Sequence, residues 1–427
     1  MPGNCRKSFN LMETILTRII QHIETISRFT SSPENGCTRL SYSAEDREAK
    51  HYLIGEFEKI GMTVDTDSVG NLRFRNNRER EGKPVVIIGS HIDTVPNGGK
   101  YDGVVGVVGG LEVAQCLYEA GIELPFALEV MVFAEEEGSN FGSTMLGSKA
   151  MIGKFPGPEA FRSYTNKDGV TWYEVMRSYG LDPEAMEFPL LIPSKVLAMF
   201  ELHIEQGIVL ERQQRKLGIV ETIAGMMTFE IVVTGQSNHA GSTPMSMRKD
   251  PMAGAGELVL AIEQIAREQP GPHTVATVGR ITAKPGASNV IPERVICSLD
   301  VRDVSDGNIL KAVGNIKERA ALIADKRGLS IEFHLVGKSQ AAPLSKKVVD
   351  MLVQQAQAMG IPFLRMHSGA VHDAAMIAEQ CDVGMVFVPS RNGLSHTSAE
   401  FTAYDDIKMG CDLLLNTILK IPQGGLT

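Results

Sequence analysis

The sequence predicts an α/β protein: a mostly parallel sheet with an inserted ferredoxin-like (βαββαβ) domain. Three observations predict it. Short continuous apolar runs at Val85–Ile88, Leu128–Ala134 and Val383–Val388 read as strands buried on both faces. Segments of helical period alternate with them, as in a sheet with helices on its faces. Between Leu217 and Leu335 the order changes to strand, helix, strand, strand, helix, strand, the split-βαβ arrangement. At 427 residues the chain suits two domains, on a prior of about 100–200 residues each. The expected boundaries are 1–216 and 337–427 for the parent fold and 217–336 for the insertion.

Taken in order, residues 11–30 read as an amphipathic helix, with apolar positions broken by Glu13, Arg18, His22 and Glu24. A second helix over 44–60 opens with a Ser-x-x-Asp cap and closes at Gly61. Met62–Val64 and Asn71–Arg75 form a strand pair turning at Val69-Gly70-Asn71, and a helix of small residues covers 104–120. The stretch 153–195 is rich in Pro and Gly, with one helix near 171–180. In the insertion the expected elements are a strand over Gly218–Thr234, a helix over Pro251–Gln269 and strands over Thr274–Thr282 and Arg294–Arg302. A helix over Gly307–Arg327 and a strand over Ser330–Leu335 follow. The parent fold then resumes with a helix at 344–359, a strand near Pro362–Met366, a helix at 373–379 and a terminal helix at 404–420.

Composition narrows the function. A net charge of −9 argues against nucleic acid or an anionic membrane as the main partner, while a small anionic ligand remains compatible. The six cysteines are scattered without a Cys-x-x-Cys pair, so neither a disulfide framework nor a thiolate zinc site is expected. The amino-terminal stretch has no secretory pattern and no apolar run long enough to span a bilayer. A cytoplasmic location is expected.

Four stretches carry chemistry. The run Val85–Ile88 leads directly into Gly89-Ser90-His91-Ile92-Asp93, at the strand end where ligands of open α/β sheets gather. Asp102 follows in a glycine-rich loop. An imidazole with two carboxylates there reads as half of a metal site; a loop His and a turn Asp without a task is the plain alternative. Glu135-Glu136-Glu137 end the next buried strand. Like charges at the edge of a low-dielectric core persist if a cation is present or one of them is protonated, and a solvated acidic turn is the alternative. His203 interrupts the apolar segment Phe200–Gly207, where a core histidine would also fit. His396 lies in the polar loop after the strand Val383–Val388, on the same side of the sheet as His91 and Glu137.

Together, the segments GSHIDT (89–94), Asp102-Gly103, EEEGS (135–139), ELHIEQG (201–207), NHAGSTPM (238–245), SGAVHDA (368–374) and GLSHT (393–397) closely resemble the M20 metallopeptidase-type amidohydrolases. Within them they look like the hydantoinase/carbamoylase branch, which includes N-carbamoyl-L-amino acid hydrolases and allantoate amidohydrolases. The resemblance runs from Thr38 to about Ala403. It implies a catalytic domain with an inserted dimerisation or lid domain, and two divalent ions per subunit. Zinc or manganese come first; cobalt or nickel also suit an imidazole and carboxylate set. His91 and His203 would hold one ion, Glu137 and His396 the other, with Asp102 shared and Asp93 orienting His91 through its other ring N–H. Glu136 matches the general base.

The resemblance further implies a homodimer in which His239 acts across the interface to stabilise the oxyanion. Arg302 would clamp a substrate carboxylate and Asn289 would help bind substrate and oxyanion. Gly369 would let the backbone approach the substrate, and Gln206 is a further contact. His372-Asp373 reads better as structural. Two departures stand out. Val371 replaces a Gly common among relatives. Met226-Met227 also stand where allantoate-specific enzymes often carry a Gln-Arg-Arg type sequence. The second departure favours an N-carbamoyl-L-amino acid, cleaved at its ureido C–N bond to ammonia, carbon dioxide and the free acid. Allantoate hydrolysis is the chief rival; aminoacylase or dipeptidase activity, or a metal-binding scaffold without catalysis, stand behind it.

Overall fold

The computed structural model of the chain describes residues 11–76, 83–185, 192–268 and 270–422. Cys5, residues 186–191 of the Pro- and Gly-rich stretch and Gln269 lie outside them. The chain begins with α1 (Leu16–Ile26), α2 (Ala44–Lys59), β1 (Met62–Thr66), β2 (Leu72–Asn76), β3 (Val85–His91), α3 (Val104–Glu119) and β4 (Ala127–Phe133). It continues through α4 (Leu146–Met151), α5 (Trp172–Tyr179), β5 (Val196–Ile204), α6 (Val209–Arg212) and β6 (Leu217–Ile223). Next come β7 (Gly225–Thr234), β8 (Asn238–His239), α7 (Pro251–Glu268), β9 (Val275–Thr277), β10 (Ile281–Lys284) and β11 (Val290–Ile291). Then follow β12 (Arg294–Asp303), α8 (Asp306–Arg327), β13 (Ser330–Ser339) and β14 (Ala342–Pro343). The last elements are α9 (Lys346–Ala358), β15 (Phe363–Ser368), α10 (Asp373–Ile377), β16 (Val383–Val388) and α11 (Tyr404–Ile418).

Two compact units result. The first holds the chain up to Glu221, Leu344–Met366 and the chain from His372 onward; the second holds Thr222–Pro343 and His367–Val371. In the first, the sheet order is β1-β2-β4-β3-β5-β16-β6. The central strands β4, β3, β5 and β16 are parallel, with antiparallel neighbours at both sides. Parallel strands need helical crossovers, and these bury both faces: every residue of β16, and all but the first of β3 and β4, is buried. That is why these segments read as unbroken apolar runs.

Local signals explain the helix ends. Ser43 accepts a hydrogen bond from the Asp46 N–H at the start of α2, and Thr171 with Glu174 forms a capping box on α5. The Pro- and Gly-rich stretch is anchored by its own apolar cluster around the fully buried Trp172, whose indole N–H donates to the Tyr42 hydroxyl at 2.9 Å.

The second unit is an antiparallel sheet ordered β10-β12-β7-β13, with β9 also pairing β12 and the helices α7 and α8 packed over its core. The single strand expected over Gly218–Thr234 is broken: the Ala224 N–H donates to the Ser368 carbonyl, so β6 and β7 separate into different sheets. The strand expected over Thr274–Thr282 is likewise two, β9 and β10. Between them, the Arg280 N–H donates to the Ser298 hydroxyl instead of a backbone carbonyl, while the Arg280 carbonyl still accepts the Ser298 N–H. Among the described residues no helix is long and apolar enough to cross a membrane.

Candidate active site

Because β4, β3, β5 and β16 are parallel, their carboxyl ends share one rim, and each sends a functional group to it. His91 closes β3, Glu135–Glu137 follow β4, His203 lies at the end of β5 and His396 in the loop after β16. Asp102 comes from the loop that starts α3. Gly103, at φ +66°, makes this possible: a Cβ there would stand 2.5 Å from the His91 ring. The helix therefore begins directly against the imidazole, with Asp102 beside it.

The groups converge. Asp102 Oδ1 lies 3.2 Å from His203 Nε2 and 3.6 Å from His91 Nε2. Its other oxygen, Oδ2, lies 3.4 Å from His396 Nε2, which is itself 3.4 Å from Glu137 Oε2. Two clusters thus share Asp102: His91, Asp102 and His203 on one side, and Asp102, Glu137 and His396 on the other, each with ligand atoms within 4.8 Å of one another. Glu136 reaches the first, its Oε2 at 3.8 Å from His91 Nε2. The Gln206 amide donates to Asp102 Oδ2 at 2.7 Å and lies 3.3 Å from His396 Nε2.

The three adjacent glutamates are sorted by the turn they form. Glu135, at φ +54°, turns inward, and its Oε1 accepts the N–H groups of Asn140 and Phe141. Glu136 and Glu137 face the two clusters. Asp93 holds them there: its carboxylate accepts the N–H of Glu136 at 3.2 Å and of Glu137 at 3.1 Å. This differs from the expectation that the Asp93 carboxylate takes the other ring N–H of His91. The Asp93 backbone carbonyl is the nearer acceptor, at 3.0 Å from His91 Nδ1, against 3.7 Å for the carboxylate. The side chain is already committed to the acidic turn.

Electrostatics follow from crowding acids in a dry rim. Burial, and after it the charges of Asp373, Glu137, Asp93 and Asp102, push the Glu136 carboxyl well above the usual carboxylate range. Burial and the charges of Asp102, Asp93 and other acids nearby do the same to Glu137. Burial would also raise Asp102, but the close imidazoles of His203 and His396 outweigh it and hold that carboxyl well below its usual value. Burial opposes charge on His203, yet Asp102 raises it to about 9. A shared acid surrounded by imidazoles, flanked by acids that resist ionisation, is a site short of positive charge.

In the second unit, His239 (β8) stands opposite Val290 (β11) across a two-stranded ribbon, and the Ala240 N–H donates to the Asn289 carbonyl. His239 Nδ1 accepts the N–H groups of Gly241 and Ser242 at 3.0 and 3.2 Å. A neutral ring held this way carries its proton on Nε2. Arg302 is held by Asp300, which accepts from Nε at 2.8 Å and from Nη2 at 3.0 Å, while Nη1 donates to the Gly369 carbonyl at 3.0 Å. A Cβ on Gly369 would meet nothing of the chain within 4 Å. The fold itself does not demand glycine there.

Sequence reasoning passed over Glu201, Ser395 and Glu400. Glu201 is fully buried, accepting from the Ser90 hydroxyl at Oε1 and the Ala374 N–H at Oε2. The alternation Glu201-Leu202-His203-Ile204-Glu205 was its signal, since residues i and i+2 share a strand face. Glu201, His203 and His372 also cluster. Both Glu201 oxygens are already used there, and His203 Nδ1 faces the Ile204 carbonyl at 2.9 Å, so His203 Nε2 belongs with Asp102.

The donors fit divalent ions. The set is imidazole and carboxylate without thiolate. Glu137 Oε1 is buried without a hydrogen-bond partner, and such an atom is costly unless something satisfies it. An open α/β sheet carrying these clusters at its carboxyl rim defines a metal-dependent hydrolase. The chain belongs to peptidase family M20/M25/M40, whose pattern matches residues 87–420, and within it to the hydantoinase/carbamoylase amidases. It is 39% identical over 407 residues to an N-carbamoyl-L-amino-acid amidohydrolase of Pseudomonas sp. (strain NS671), covering 94% of this chain and 97% of the relative. It is 32% identical over 408 residues to an allantoate amidohydrolase of Bacillus subtilis (strain 168), covering 96% and 98%. The crystal structure of a hydantoinase/carbamoylase family amidase from Burkholderia multivorans superposes with a TM-score of 0.85 at 32% identity, covering 95% of this chain and 98% of that one.

Proposed function

We propose that this amidohydrolase cleaves a ureido C–N bond of an N-carbamoyl-L-amino acid with one water, the carbamate so formed then losing carbon dioxide, so that ammonia, carbon dioxide and the free amino acid are released. His91 and His203 would hold one divalent ion and Glu137 and His396 the other, with Asp102 shared; zinc or manganese suits this set. Bound there, such ions polarise a carbonyl and acidify water. Glu136 takes the proton of the attacking water and delivers it to the departing nitrogen. It is a buried carboxylate outside the expected ligand set whose Oε2 lies 3.8 Å from His91 Nε2, at the first cluster.

Arg302 binds the substrate carboxylate, Asp300 and the Gly369 carbonyl having fixed its guanidinium. Asn289 assists, and Gln206 steadies Asp102 from its own side. The Nε2–H of His239 stabilises the oxyanion, acting in the site of the other subunit, so that activity needs a homodimer. Mixing Glu136→Gln subunits with His239→Ala subunits, each inactive alone, should then restore turnover; no recovery after demonstrated exchange would remove the cross-subunit role. None of the cysteines described forms a disulfide, which fits the cytoplasm.

The observation that carries the substrate choice is Met226, which stands directly opposite Arg302 in the β7–β12 pairing. A thioether there offers no strong hydrogen bond to the second ureido group of allantoate, whereas it suits an apolar amino-acid side chain. The deciding experiment is ammonia release by metal-stripped protein given zinc, manganese, cobalt or nickel. The panel is N-carbamoyl-L-amino acids, allantoate, β-ureidopropionate and N-acetyl amino acids. N-carbamoyl-L-amino acids should lead by tenfold or more in kcat/KM. Faster turnover of allantoate would overturn the reading.

A further inference from the structure

Behind the shared aspartate stands a carboxylate that the proposed chemistry does not use. Glu400 is 6% exposed, and its Oε1 accepts two backbone N–H groups, from Tyr101 at 3.0 Å and Asp102 at 3.2 Å. Its Oε2 lies 2.9 Å from Ser395 Oγ, and that hydroxyl also lies 2.8 Å from Asp102 Oδ2. The Glu400 N–H closes a turn on the Thr397 carbonyl, directly after His396 in the chain. The glycine-rich loop is shaped to admit this side chain: a Cβ on Gly99 would stand 2.0 Å from Glu400 Oε1. The next residue, Phe401, packs edge-on to Tyr101 at 5.9 Å and lies under the Arg391 guanidinium. The contacts of Glu400, Ser395 and Phe401 with residues 99–102 join the loop bearing Asp102 to the loop bearing His396.

We infer that Glu400, through Ser395, is a positioning residue that fixes Asp102 against His396 and so sets the affinity of the second of the two ion sites, an inference that rests on the two-ion reading above. His396 meets Asp102, Glu137 and Gln206 through its Nε2. It is a non-glycine residue at φ +57°, a conformation that costs free energy unless the surroundings impose it. Half of its side chain is exposed, unlike His91 and His203. The asymmetry of Asp102 makes the effect selective. Oδ1 faces His91 and His203, while Oδ2 faces His396 and receives the Ser395 link. Releasing Glu400 therefore loosens both known members of the contact between Asp102 and His396, but only one edge of the other cluster.

The test is titration of the metal-stripped protein with zinc and, separately, manganese, resolving two binding steps by calorimetry and confirming ions per subunit by elemental analysis. In Glu400→Ala the second step should weaken 10- to 100-fold, as is usual when a ligand loses its outer support, with the first step within about threefold of the parent. Glu400→Gln keeps an acceptor for both N–H groups and should restore the second step. Should Glu400→Ala fold poorly, Ser395→Ala removes the link, together with a long contact to the Gln206 amide, and should weaken the same step by about tenfold. Equal weakening of both steps, unchanged affinities, or failure of Gln to rescue would overturn the assignment. Affinity rather than turnover is read. A protein that binds two ions as described yet leaves carbamoyl substrates intact would overturn the substrate reading and leave this one standing.

Discussion

The two units handle polar chemistry in opposite ways. In the first, the candidate groups are at the edge of the core: His91, Asp102, Glu136 and His203 are all buried, and several ionisable groups face one another. In the second, His239, Asn289 and Arg302 lie at or near the surface; the His239 ring accepts from Gly241 and Ser242, Arg302 is held by Asp300 and the Gly369 carbonyl, and Asn289 is fixed through its backbone carbonyl. Burying a charge costs several kcal/mol unless it is paired, so the first arrangement is stable when a cation shares it or when some of its acids keep their protons. The second needs no such partner. A buried cluster implies an ion, whereas an exposed, pre-aimed side chain implies a ligand that arrives and leaves.

Glu136→Gln should give the largest effect: kcat falling by about 10³-fold with both ions retained by elemental analysis. Near-normal turnover with ions bound would mean that the spare acid of the buried cluster is not the base. Chelation should come next. At ion concentrations about 1,000-fold above Kd, loss of the ions withdraws about 4 kcal/mol of stabilisation. Hydrogen exchange should speed up at the β3, β5 and α3 amides while the amides of α7, α8 and β12 stay unchanged. Equal loosening of both units would erase the contrast.

Arg302→Lys should raise KM by about 10- to 100-fold, as expected for weakening a charged hydrogen-bond pair, with ion content unchanged and kcat reduced less. The smallest effect belongs to Gly369→Ala. Since a Cβ there meets nothing of the chain, stability should stay within about 0.5 kcal/mol of the parent. A rise in KM without a shift in Tm would place the substrate against Gly369, whereas unchanged kinetics would remove it from the substrate contacts.

How much of this was legible in the sequence depended on whether a residue's signal was local. The strands that end at His91 and Phe133 were visible because burial on both faces makes them continuously apolar, and their shared direction put their carboxyl ends on one rim. The βαββαβ order of the insertion was visible through its periodicities. The break at Ala224 was not, because it depends on an acceptor in Ser368, far along the chain. The task of Asp93 was misread for a similar reason: spacing brings it near His91, but only the fold shows its carboxylate taken by Glu136 and Glu137. Glu400 gave no signal at all. Its partners Gly99, Tyr101 and Asp102 lie about three hundred positions away, and an acid in a polar loop reads as solvated until a cavity cut to its shape is seen.

The lone tryptophan of the chain is Trp172, sealed in the apolar cluster of the first unit with its indole N–H tied to Tyr42. Tryptophan emission therefore comes from a single fixed place in the first unit and should be blue-shifted in the folded protein. Nature has left a built-in optical gauge on one half of the molecule, so that melting of that half can be followed by light alone, without labels.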